Sequence, residues 1–336
     1  MNSVGSGDMA QFFRLRNDGS RMQNDLLRLT TELSTGQTAD IGRSLAGDFS
    51  GLSDITRSLR LNTAFRHSIT EAATQAATRQ SALSAIQSQV SALVPDLMAA
   101  TASGSLADLS LDAANTTDRF IQSVATMNLR IAGQSVFAGN APDQPALIDG
   151  RAILDGLTAL VAGAATSPDM IALVSDWFMT PGSGYDTQAW QGGAGPASPI
   201  TLAEGVRTDP SVNALAPEIR QALAGLALSA LVGERAGPGS TTDRGHMIET
   251  AANWLRTGES GLTQLQARLG GAEARIEEAR VQAETTRASL EIERGRITAA
   301  DPYRTATELE ALQNQLDALY LMTARLSRLT LMEYLR

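Results

Sequence analysis

The chain has 336 residues, 43% of them hydrophobic but only 4% aromatic, a composition that suits helices packed through aliphatic and small side chains. Its net charge of −9, from 36 acidic and 27 basic residues, offers no broad cationic surface for a phosphate backbone, so nucleic acid is not an expected partner. All 27 basic residues are Arg and there is no Cys, which removes Schiff-base and P-loop-lysine chemistry together with disulfides and thiolate metal sites.

The chain opens MNSVGSGDMAQFFRLRNDG, with no basic region running into an apolar one, and no later stretch reaches the roughly 18 apolar residues of a membrane span. If the protein is secreted, an ordinary cleaved signal is not the expected route. Phe12, Leu15, Met22, Leu26, Leu29 and Leu33 follow alternating three- and four-residue steps, interrupted only at Gly19, and predict one helix with one apolar stripe. Residues 34–53, rich in Gly, Ser, Thr and Asp, predict a connector. A second helix is predicted over about 52–100, with Pro95 as a candidate kink, and a third over about 106–131, the two forming an antiparallel pair.

From Gly139 to about His246 the character changes, with nine prolines scattered among glycines. This stretch predicts a small mixed α/β insert, with short helices at 148–162 and 217–233 and β-compatible pieces in 185–205. The helical step returns by about 250. Its regular seam runs through Leu262, Leu265, Leu269, Ala272, Ile276, Ala279, Ala283, Leu290 and Ile297. Glu277 with Arg280, Glu284 with Arg287 and Glu291 with Arg294 lie beside it as repeated i,i+3 ion pairs on a solvated face. Asp301-Pro302 then ends that helix and starts the last, since Asp suits an N-cap and Pro the first helical position.

The fold class expected is mostly α, with long terminal helices in coiled-coil or bundle layers. Three divisions follow: an inner assembly domain from 1–35 and 301–336, a helical-bundle core from 36–139 and 251–300, and an insert at 140–250. The terminal stripes differ from the others. One such seam offers far less apolar burial than ordering its helix costs in conformational entropy, so these helices are expected to need partners from other subunits. The candidate subunit-interface residues are Leu26, Leu29, Leu33, Leu309, Leu312, Leu316, Leu319 and Leu326.

No catalytic, cofactor or metal site is expected, and the protein is read as a non-enzyme. His67 with Glu71 and His246 with Glu249 have helical spacing but no HExxH pattern, and surface ion pairs are the better reading of both. Gly192, Gly193 and Gly195 neither follow a strand nor open a helix, and predict a turn. No GxSxG motif supports a serine nucleophile.

Several segments resemble the flagellin superfamily, and within it the hook-associated, hook–filament junction branch. LLRLTTELSTGQ (26–37) is similar to the family's L-x-x-L-S-T-G segment leaving its first helix. ALSAIQSQVSALVPDLMAA (82–100) is similar to the helix that follows, and RIAGQSVFAG (130–139) to the turn closing the N-terminal core. RIEEARVQAETTRASLE (275–291) and LYLMTARLSRLTLMEYLR (319–336) resemble the C-terminal core and terminal assembly helices. YDTQAWQGG departs from the junction pattern at Trp190 and Gly193, and AGDFSGL (46–52) only partly replaces the usual D-D-P-A-G run. The resemblance implies an extracellular flagellar subunit that packs its terminal helices with other copies of itself, with the insert projecting outward. It also implies neighbouring hook-associated and flagellin subunits, a type III export route and an export chaperone as partners. A filament flagellin is the main alternative, and a secreted coiled-coil adhesin or effector the next.

Overall fold

A computed structural model of the chain describes residues 6–103, 113–193, 195, 199–209 and 212–334. In chain order the elements are α1 (Ser6–Thr35), α2 (Ile41–Ser44), α3 (Ser50–Ser103), α4 (Ala113–Met127), β1 (Arg130–Ile131), β2 (Gln134–Ser135), α5 (Gly150–Val161), α6 (Ser167–Met179), a π-helical turn (Tyr185–Ala189), β3 (Ile200–Ala203), β4 (Val206–Thr208), α7 (Pro217–Gly233), α8 (Thr241–Thr298) and α9 (Pro302–Tyr334). The fold is mostly α, as expected, and among the described residues the sheet is limited to two antiparallel ribbons, β1 with β2 and β3 with β4. Two compact units are formed, one within 1–62 and 284–336 and the other within 63–283.

In the first unit α1 packs against α9. Thr38 N–H donates to Thr298 O at 2.8 Å and Ala300 N–H to Gly36 O at 3.0 Å, so the chain leaving α1 pairs with the chain entering α9. Each end has a local cause. Gly36 adopts φ +67°, the left-handed conformation that closes a helix and that glycine adopts most easily, and its N–H returns to Glu32 O at 2.9 Å. Asp301 Oδ1 accepts from Tyr303 N–H and Arg304 N–H at 3.0 and 3.1 Å, with Pro302 at the first helical position as the dipeptide predicts. In the connector, Asp40 caps the short α2 through Arg43 N–H.

The second unit is organised around α7, which is buried on every side from Ala222 to Val232. Over those residues its sequence, ALAGLALSALV, is apolar on all sides but for Ser229, the pattern of a central helix. Helices α4 and α6 pack on α7, and α5 packs on α4, α6 and α7. α8 crosses α7 unusually closely. A Cβ added to Gly258 would sit 2.8 Å from Ala222 Cα, one on Gly225 2.7 Å from Leu255 Cδ2, and one on Gly261 2.9 Å from Glu218 Cβ. These pairings run antiparallel, and only small residues allow the approach. α3 lies antiparallel to α8 in turn, through Ser91 Oγ to Glu259 Oε1 at 2.7 Å, Gln87 Nε2 to Thr263 Oγ1 at 3.2 Å, and Gln266 Nε2 to Ser84 Oγ at 3.2 Å.

Residues 140–250 share their core with the long helices: Ile153, Leu157, Phe178 and Tyr185 belong to one cluster with Leu83, Leu93, Phe120 and Leu262. The turn Phe137-Ala138-Gly139 lies where these parts meet. Phe137 and Ala138 are fully buried, Ala214 N–H donates to Phe137 O at 3.1 Å, and Gly193 N–H donates to Ala138 O at 2.9 Å. A Cβ on Gly193 would overlap Asn140, and one on Gly192 would come within 2.6 Å of Ala138 O. The expected turn at these glycines is thus a docking segment for the 137–140 turn.

Other expectations shift. α8 begins at Thr241, and Pro95 lies on the exposed side of an α3 that continues through it. The third predicted helix starts at Ala113 within the described residues; its first part, 106–112, lies outside them. Tyr185–Ala189 is a π-helical turn instead of a β piece, held by Tyr185 Oη donating to Ala214 O at 2.8 Å and by Arg220, which stacks over the Tyr185 ring and pairs with Asp186. Burial pushes the Tyr185 phenol well above its ordinary range. Arg280 takes Glu277 at 2.6 Å as expected, whereas Arg287 takes Glu291 at 2.8 Å, one turn on.

Candidate functional site: the terminal helix pair

The register of the α1–α9 pair follows from three positions. A Cβ on Gly19 would touch Leu319 Cδ2 at 3.4 Å, Gln23 Nε2 donates to Tyr320 Oη at 3.1 Å, and Gly36 faces Ala300. The helices are therefore antiparallel, which sets Leu26 level with Leu312 and Leu29 level with Leu309. Gly19, the gap in the apolar stripe, is where Leu319 is accommodated.

The candidate leucines divide into three groups. Leu29 and Leu316 are buried, 3% and 7% exposed. Leu26, Leu309, Leu312 and Leu319 are half-buried, and Leu33 remains 43% exposed. The side chain of Leu326 lies outside the described residues. Beside the seam, Glu32 is buried and accepts from Arg28 Nη1 at 3.3 Å and Ala39 N–H at 3.0 Å. The segment 26–37 thereby locks its own helix end.

Reading the seam alone missed a second set of residues. Phe13, Leu27, Leu321 and Met322 are all more than 60% exposed, Tyr303 is 84% exposed, and Tyr320 is exposed beside Gln23. Phe13 and Leu27 directly follow seam residues, and Leu321 and Met322 lie within three residues of Leu319. Apolar residues on more than one side of a helix are the signal that could have found them. A two-helix pair covers one stripe, so the others are left uncovered, and a run of large exposed apolar side chains marks a protein-contact surface. Between the two helices lies an opening of about 350 Å³ lined by Leu15, Gly19, Gln23, Leu319, Tyr320 and Thr323.

The chemistry-bearing candidates gain different partners from those expected. Glu71 accepts from Gln75 Nε2 at 3.3 Å instead of pairing with His67. His246 Nδ1 lies 3.2 Å from Ser167 Oγ instead of Glu249. Asp243 stands nearby, so a serine, a histidine and a carboxylate converge. The carboxylate, however, accepts from Ser167 N–H at 3.0 Å and from Ser240 Oγ. It caps the start of α6 and closes a capping box at the start of α8, where Asp243 N–H donates back to Ser240 Oγ at 3.0 Å. Those bonds, led by the Ser240 hydroxyl, hold the Asp243 carboxyl below its ordinary pKa. Ser167 is 4% exposed at the first turn of its helix, which makes the cluster a helix-end joint. No group of three or more His, Cys, Asp or Glu is placed to hold a metal among the described residues. No described helix is long and apolar enough to cross a membrane.

The class defined by this geometry is a mostly α protein whose N- and C-terminal helices pair with each other and leave broad apolar faces uncovered. Residues 255–335, the greater part of α8 and nearly all of α9, match the family model of the bacterial flagellin C-terminal helical region. That part of the chain is similar to the C-terminal region of flagellins. A solved structure of a candidate flagellar hook-associated protein from Vibrio parahaemolyticus is similar to this chain at a TM-score of 0.50 and 13% identity, covering 75% of this chain and 99% of that one. At that identity the likeness speaks to the fold. No curated protein matches the sequence.

Proposed function

We propose that the chain is a flagellin-superfamily structural subunit of the bacterial flagellum, hook-associated, that joins hook to filament by packing its terminal helices against those of neighbouring subunits. The observation that carries this reading is the α1–α9 pair, which buries Leu29 and Leu316 but leaves Phe13, Leu27, Tyr303, Leu321 and Met322 exposed. It coincides with the flagellin-type match over 255–335. Assembly is assigned to 1–35 and 301–336, the bundle core to 36–139 and 251–300, and to 140–250 the role of a variable insert that contributes little to the axial contacts.

A subunit with such faces needs them covered before assembly, which fits delivery through a type III export route to the extracellular flagellum with an export chaperone. Denser in leucine, α9 is the preferred chaperone target, presented as an amphipathic helix to a groove. Copies of the chain, adjoining hook-associated proteins and flagellin are the remaining partners, and the role is non-enzymatic. The deciding experiment is deletion of the chain from its own cell. Completed hooks with flagellin shed into the medium support the reading; intact filaments overturn it. The flagellin-type C-terminal match also favours a filament flagellin, and loss of the filament protein itself, together with unaided polymerisation of the purified chain, would establish that reading in its place.

A further inference from the structure

The second unit contains an opening of about 700 Å³ between the 67–79 face of α3 and the β1–β2 ribbon, within the range of small-ligand sites, about 300–1,000 Å³. Arg79 lines it and is only 4% exposed. Of the donors a guanidinium carries, Nη1 reaches the neutral amide oxygen of Gln75 at 3.3 Å, while Nε is buried with no hydrogen-bond partner among the described residues. Asp209 contributes an opposing charge, but it is outweighed by burial, which pushes the Arg79 pKa down to about 10. The guanidinium therefore stays charged at neutral pH with its hydration removed and incompletely replaced. A second buried group in the same lining, Ser135 Oγ, is also without a partner among the described residues.

Gln75 bridges this cation to the mouth, its Oε1 taking Arg79 and its Nε2 donating to the exposed Glu71. Glu71 is the acidic residue in the lining, and water screens it, whereas Arg79 is shielded from water and, although partly offset by Asp209, is screened less in acting on anything that enters. The geometry points to a site for a carboxylate: we propose that this opening binds a ligand through one carboxylate group, which supplies the acceptors that Arg79 and Ser135 lack. Arginine's planar fork suits that group better than a point cation would. The carboxylate can belong to a free acid such as a uronic sugar or to an acidic side chain of a peptide, and both present the same chemistry.

The test is NMR of the full chain, following the Arg79 Nε–H signal during separate titrations with glucuronate and with a short Glu-containing peptide, each matched for ionic strength with chloride. A saturable shift with either probe supports the site, and the probe that saturates at lower concentration identifies the source. Chloride-like behaviour of both probes overturns it. In the variants the backbone amides of Gln75 and Ser135, which line the same opening, are followed in place of the Arg79 signal: Arg79→Gln, checked for native helicity by circular dichroism, is expected to abolish their saturation, and Arg79→Lys to weaken it at least tenfold. Saturation that persists in Arg79→Gln would assign binding elsewhere and also overturn the proposal. Because the readout is independent of motility, its failure leaves the flagellar reading untouched.

Discussion

Leu321 offers the sharpest separation between residues that hold the monomer together and residues that hold the assembly together. It is 64% exposed, so the monomer draws on about a third of its apolar surface. At about 1.5–3 kcal/mol for full burial of a leucine, that share contributes about 0.5–1 kcal/mol. Leu321→Asp should therefore move the melting temperature of the purified chain by no more than about 2–4 °C. In the assembly the remaining two thirds, about 1–2 kcal/mol, is lost, and a carboxylate is placed in an apolar contact at a further cost of several kcal/mol. At 1.4 kcal/mol per tenfold, the combined effect is on the order of a thousandfold per contact. Leu316→Ala is the counterpart: 7% exposed, it should destabilise the monomer's helix pair by about 2–4 kcal/mol. Circular dichroism melts of both variants, with quantification of each on isolated flagella, give the comparison. Normal incorporation of Leu321→Asp would falsify the assignment of this face to assembly.

Three further outcomes are expected. Amide hydrogen exchange on the purified chain should protect α7 far more strongly than residues 10–33 and 303–325, because α7 is buried on all sides while the terminal helices share one seam; equal protection would refute coupled folding and assembly. Gly258→Ala gains about 1 kcal/mol in helix propensity yet forces a Cβ to 2.8 Å from Ala222 Cα. A lower melting temperature is expected, and an increase would show that the α7–α8 crossing has slack. Asp243→Asn should lower stability at neutral pH. The carboxyl's folded pKa lies below its ordinary 3.8, so its contribution is present above 3.8 and is lost as pH falls through the lower folded value. The variant's acid unfolding should accordingly show a shallower pH dependence in that window, and identical acid limbs would count against the Asp243 joint.

What could be read from the residues depended on how local the cause was. The end of α1 at Gly36, the Asp301-Pro302 start of α9 and the bounds of α7 follow from capping, backbone conformation and an unbroken apolar run, all contained in a few neighbouring residues. The start of α8 did not. Its seam becomes regular only at Leu262 because Gly258 and Gly261 serve the crossing with α7, and glycines in sequence resemble a turn until the helix they admit is known. The insert looked separable because prolines and glycines marked its edges, yet Phe178 and Tyr185 enter the same cluster as Leu83 and Leu262. Such long-range burial leaves no periodic trace. In the terminal pair the buried stripe was visible as a heptad, whereas Phe13, Leu27, Leu321 and Met322 became meaningful only once the pair was seen to leave them uncovered.

The absence of cysteine from the chain makes the central claim directly measurable, since one introduced thiol reports on one place. Cysteine placed at Leu321 and, separately, at Leu27 should react freely with a maleimide in the purified subunit and become protected on intact flagella. A thiol at Leu160, on the exposed side of α5, should react equally in both. Undiminished labelling at Leu321 and Leu27 on assembled flagella, or protection confined to Leu160, would contradict assembly through the terminal helices.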